Sequence, residues 1–141
     1  MVQMRKFVLA ILAYAIPTMA VAFPWHFVWF HDLYHQLGIY NRQEVIIPLG
    51  MLSMLIQGLI LAYLYPLFYK TGHPVTQGIK YGLLMGLYMY SVSTLANAAK
   101  IMVTSIPIWL GIQALFHTIQ FVLAGALIGL AYGRLDTHGV R

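Results

Sequence analysis

Apolar residues in this chain do not alternate. They run almost unbroken through four stretches: Phe7 to about Phe23, Val45 to Tyr69, Ile79 to about Ala99, and Ile108 to Tyr132. A helix needs ~20 such residues to cross a bilayer, so each stretch predicts a membrane span. The first is the shortest and carries Pro17, which a membrane helix tolerates with a kink. Arg5 and Lys6 before it and Ala20-Val21-Ala22 at its end mimic a signal peptide; we read it as a retained anchor. Between the first two spans, Pro24 to Tyr40 mixes Trp, Phe, Leu and Tyr with three His and ends near Gly38, a helix-stop residue. That pattern predicts an amphipathic helix lying in the outer interface. The expected fold is all-α: a four-transmembrane-helix bundle forming one membrane domain over 1–141, with an interfacial segment at about 24–40.

Charge sets the direction. Four spans put both termini on one side, with Arg5, Lys6, Lys70, Lys80, Arg134 and Arg141; the other side holds only Arg42 and Lys100, with Asp32 and Glu44. The basic excess predicts cytoplasmic termini and a cytoplasmic 70–80 turn in an inner membrane. Trp25, Trp29, Tyr34, Tyr40 and Trp109 then fall in an outer aromatic belt, and Tyr65, Tyr69, Tyr81 and Tyr132 in an inner one.

Composition agrees. Hydrophobic residues make up 61% and charged residues 8% of 141, which excludes disordered and ordinary water-soluble classes. With no Cys, thiol catalysis, disulfide exchange, Fe–S ligation and Cys-based zinc sites are excluded. The net charge of +5 comes from basic residues scattered singly, so no nucleic-acid partner is expected; the lipid bilayer is.

Two glycine series have helical spacing: Gly78, Gly82, Gly86 and Gly125, Gly129, Gly133. Each is a small-xxx-small repeat that lets backbones approach closely. In an antiparallel pair both sit at the cytoplasmic end and predict an intrachain seam; a homo-oligomer seam is the alternative.

Polar residues within the spans gather toward the other end. Gln113, His117 and Gln120 share one stripe of the last span; Ser93 and Asn97, with Thr94 adjacent, share one of the third; Ser53 and Gln57 are spaced i, i+4 in the second. His117 lies ~13 Å below the outer end of its helix, near mid-bilayer. Such groups avoid lipid. They predict a polar cavity open to the outer face, lined by these eight residues and taking a small polar or amphipathic molecule or an ion, with a transport-related role in view. The plainer account is interhelical glue at ~0.6 kcal/mol per bond.

Nothing here asks for catalysis, and no catalytic residue is expected. No Asp or Glu lies within the spans, which disfavours proton-coupled carriage. Paired carboxylates, nucleophile elbows and phosphate loops are absent. A second candidate chemistry is metal binding at the outer face, where His26, His31, His35 and Asp32 offer ligands for copper or zinc. His31 and His35 are spaced i, i+4 and share a helix face, although interfacial His beside Trp and Tyr also serves as an anchor. Haem is not expected, because His117 has no second His within a span. A third reading is a structural subunit of a larger membrane complex, docked through the glycines.

The short first span, the segment Pro24-Trp25-His26-Phe27-Val28-Trp29, the glycine-rich third span and the late His of the fourth together give a recognisable layout. In it the chain resembles small uncharacterised four-helix inner-membrane proteins of bacteria. The resemblance implies a location and no particular chemistry.

Overall fold

A computed structural model of the chain describes residues 3–133, with no strand among them. Arg134, Asp136, His138 and Arg141 lie outside the described residues. The order is α1 (Gln3–Pro24), a π turn at Trp25–Trp29, α2 (His31–Gln36), α3 (Ile47–Phe68), α4 (Pro74–Tyr90), a second π turn at Ser91–Leu95, α5 (Ala96–Ala98) and α6 (Ile106–Tyr132). Three helical stretches are long and apolar enough to cross a membrane: Met4–Trp29, Ile47–Phe68 and Ile106–Tyr132. At 1.5 Å per residue the 22 residues of α3 reach about 33 Å and the 27 of α6 about 40 Å. The expected third span is helical as well, but the π turn at Ser91–Leu95 divides it, leaving α4 at 17 residues.

Proline placement explains much of the helix pattern. Pro48, Pro74 and Pro107 stand in first turns, where a missing N–H leaves no intrahelical bond unmade. The first span was expected to end at about Phe23, yet the helix runs on through Pro24. The chain widens into a π turn there, and Phe30 N–H donates to the Trp25 carbonyl, five residues back, at 3.1 Å. The stop comes at Gly38, which takes φ +79°. Gly38 N–H donates to the His35 carbonyl at 3.0 Å and Ile39 N–H to the Tyr34 carbonyl at 3.1 Å, a Schellman closure of α2. Thr104 straps the same end, its N–H donating to Leu37 O at 3.2 Å and its hydroxyl to Gln36 O at 2.9 Å.

The centre of the molecule is α6, packed against α4 on one side and α1 on the other, while α3 leans chiefly on α1. Along the α4–α6 seam the glycines meet one another within the chain. A Cβ built on Gly82 would stand 2.1 Å from Phe121 O, and one on Gly125 would stand 2.3 Å from Gly78 O. Only glycine permits that approach. Gly86 faces the Phe121 side chain instead, and Gly133, where a Cβ would meet nothing within 4 Å, ends α6 with φ +64°.

Two apolar clusters fill the interior. Near the 70–80 turn, Ala10, Tyr14, Leu61, Ala62, Tyr65, Tyr81, Phe121, Ile128 and Tyr132 pack together. At the opposite end Trp25, Tyr34, Leu37, Trp109 and Phe116 do the same. Most residues assigned to aromatic belts are therefore core: Trp25, Tyr34, Trp109, Tyr65, Tyr69, Tyr81 and Tyr132 are all buried, and only Trp29 among the outer set is largely exposed. Their polar tips reach protein groups rather than headgroups. Tyr81 donates to Leu61 O at 2.8 Å and Tyr132 to Ala62 O at 2.6 Å.

Candidate functional site

Among and between the two apolar clusters lie five buried polar side chains: Thr18, Thr94, Gln113, His117 and Gln120. The α6 stripe is thus turned inward, as expected of amides and imidazole in a span. Its members then part company into three groups.

Gln120 reaches α1, with Nε2 3.4 Å from the Tyr14 hydroxyl and 3.3 Å from Thr18 Oγ1. Tyr14 donates to Gln57 Oε1, and Gln57 Nε2 donates to Ser53 Oγ at 2.9 Å. One chain of hydrogen bonds so ties α6 to α1 and α3. Gln113 belongs to a second group at the far end, donating to the Tyr34 hydroxyl at 2.7 Å, while Trp25 Nε1 donates to the same oxygen at 3.0 Å. Burial of Tyr34 pushes its phenol well above the ordinary range, so its oxygen stays a neutral acceptor.

His117 forms the third group. Its Nδ1 is 2.8 Å from the Gln113 carbonyl, an oxygen that only accepts, so Nδ1 carries a proton. Its Nε2 is 3.0 Å from Ser93 Oγ on α4's continuation. Ser93 Oγ also donates to Met89 O at 2.7 Å, and Asn97 Nδ2 donates to Ser93 O at 2.7 Å. Thr94 is fully buried in the π turn; its carbonyl accepts from Trp109 Nε1 at 3.2 Å. A π turn often marks a worked site, and here it presents Ser93 to the imidazole.

A cavity of about 320 Å³ opens beside this third group, between α4 and α6. Leu83, Gly86, Leu87 and Ala114 are its apolar lining residues, and Tyr90, His117 and Thr118 its polar ones. Leu83, Leu87, Ala114 and Thr118 are exposed, so the mouth faces sideways from the helix pair. Of the eight residues expected to line one pocket, His117 alone lines this one. Toward the α2 end, where the opening was expected, the space is occupied by the Trp25, Tyr34, Trp109 and Phe116 cluster. Tyr14, Thr18 and Tyr90 carried no expected role, and Tyr34 was expected only in the aromatic belt. Tyr14 and Thr18 are spaced i, i+4, the same signal that singled out Ser53 and Gln57.

The histidines expected at the outer face are spread over two surroundings. His26 packs against Tyr34 and Phe116, with ring centroids 5.1 and 4.5 Å away. His31 and His35 meet each other at 4.7 Å, and His31 Nδ1 is 3.3 Å from Asp32 Oδ1. Among the described residues no group of three or more His, Cys, Asp or Glu is gathered so as to hold a metal ion. Compared with protein families, curated proteins and solved structures, the chain matches none.

Proposed function

We propose that this protein is a four-span inner-membrane protein that binds a small amphipathic molecule in the cavity between α4 and α6. The fourth span in this reading is the run from Pro74 through Ala98, 25 residues or about 37 Å if its π turn is counted as helix. The observation that carries the binding reading is a single imidazole, His117, 7% exposed, lining a largely apolar cavity with a sideways mouth. At about 320 Å³ the space is near the lower end of the ~300–1,000 Å³ usual for ligand sites. Entry is from the bilayer rather than from the outer aqueous face. The glutamines act as fasteners in this account, since Gln57, Gln113 and Gln120 all have partners.

The test is native mass spectrometry of protein extracted gently from its membrane. A bound small molecule is expected in the natural sequence and absent from Ala114→Leu, whose larger side chain fills the cavity from an exposed position. Adduct-free spectra from the natural protein, or an adduct indifferent to Ala114→Leu, overturn the reading.

A further inference from the structure

Resting on that binding reading, we infer that the cavity selects lipid-soluble molecules carrying a neutral hydroxyl group, because its polar lining offers acceptors and no free donor. The argument is a proton count. The Tyr90 hydroxyl donates to Leu110 O at 3.2 Å, and the Thr118 hydroxyl donates to Ala114 O at 2.7 Å. The Nδ1 proton of His117 is directed at Gln113 O, which leaves a lone pair on Nε2 of the neutral ring. The nearest donor to that lone pair is Ser93 Oγ, whose one proton is shared with Met89 O, the closer acceptor at 2.7 Å against 3.0 Å. Each polar side chain lining the cavity has therefore turned its proton toward a helix carbonyl; the hydroxyl oxygens of Tyr90 and Thr118 keep lone pairs available, while the single Nε2 lone pair of His117 is already met by Ser93 Oγ.

A ketone, ether or ester oxygen entering this space would meet lone pairs and lose its own hydration unpaired. A hydroxyl supplies the missing hydrogen. An ammonium group would supply it too, but no Asp or Glu is among the lining residues to balance the charge in an apolar setting, and a buried unpaired charge is far more costly than a neutral donor. Leu83, Leu87 and Ala114 complete the specification by asking for a hydrocarbon tail, and the sideways mouth admits it directly from lipid.

Two photoreactive probes with the same diazirine-bearing alkyl chain test this, one ending in a hydroxyl and the other in its methyl ether. With full-length protein in lipid nanodiscs, the alcohol is expected to label peptides carrying Leu83–Tyr90 and Ala114–Thr118 about three- to tenfold more than the ether, the range one net hydrogen bond supplies. Thr118→Val and Tyr90→Phe, which each remove one of those oxygen acceptors, are each expected to narrow that preference. Equal labelling by both probes, or a preference untouched in both variants, overturns the donor selection and leaves the binding reading standing. Labelling by neither probe overturns both.

Discussion

Tyr132 donates its hydroxyl to the Ala62 carbonyl at 2.6 Å, and the reason lies four residues further along α3. Pro66 has no N–H, so the Ala62 oxygen has no intrahelical donor. Ala62 is 0% exposed, which keeps any solvent donor away as well. A membrane hydrogen bond contributes on average only ~0.6 kcal/mol, whereas leaving a buried carbonyl unpaired costs ~1–3 kcal/mol. The second effect dominates here. Tyr132→Phe is expected to destabilise the protein by about 1–3 kcal/mol. In a Pro66→Ala background the new backbone N–H fills the vacancy, and the same substitution should then cost no more than about 0.6 kcal/mol. Unfolding titrations in mixed micelles on the four proteins of this cycle check it. Equal losses in both backgrounds would show that the proline vacancy is not what Tyr132 answers.

At the scale of elements, glycines divide by what faces them. A Cβ on Gly82 would collide with the Phe121 carbonyl at 2.1 Å, a backbone atom that moves only if α4 and α6 separate. Gly82→Ala is accordingly expected to cost upward of ~1–3 kcal/mol. Gly111, in the same α6, has nothing within 4 Å of its would-be Cβ, and Gly111→Ala should stabilise by roughly 0.5–1 kcal/mol through helix propensity. Opposite signs in detergent unfolding are the expected result; two losses of similar size would mean that propensity, not contact, governs both. The Gly78, Gly82 and Gly125, Gly129 spacings were readable in the chain because close approach has a local signature. What was not readable were the π turns at Trp25–Trp29 and Ser91–Leu95, since one extra residue per turn leaves no compositional trace. Partner choice was equally hidden. The burial of Gln113, His117 and Gln120 follows from polarity in a span, but their pairing with Tyr34, Ser93 and Tyr14 depends on how helices rotate against each other.

For the whole molecule, the hydrogen bonds and packing already order the ends. Gly78 lies against Gly129 while Gly82 lies against Gly125, so α4 and α6 run antiparallel. Tyr14 meets Gln120 whereas Trp25, farther along, meets Phe116, so α1 and α6 are antiparallel too. The 70–80 turn is thereby set at one end and the loops at 39–46 and 99–105 at the other. Apolar length and basic excess implied the same division from the sequence, because both act residue by residue through water and lipid. Whether the two ends lie on opposite sides of a bilayer turns on the run from Pro74 to Ala98, which a π turn divides after 17 residues, whereas the π turn of Met4–Trp29 only closes that stretch. The chain contains no Cys, so single cysteines at Gln43, Thr71 and Lys100 report without background. All three positions are exposed. An impermeant maleimide added to right-side-out vesicles is expected to label Gln43→Cys and Lys100→Cys and to reach Thr71→Cys only after permeabilisation. Matching accessibility of Gln43→Cys and Thr71→Cys would mean that α3 does not cross. If Thr71→Cys and Lys100→Cys match instead, the divided segment is the one that stays on a single side, and the cavity mouth between α4 and α6 loses its access to the bilayer interior.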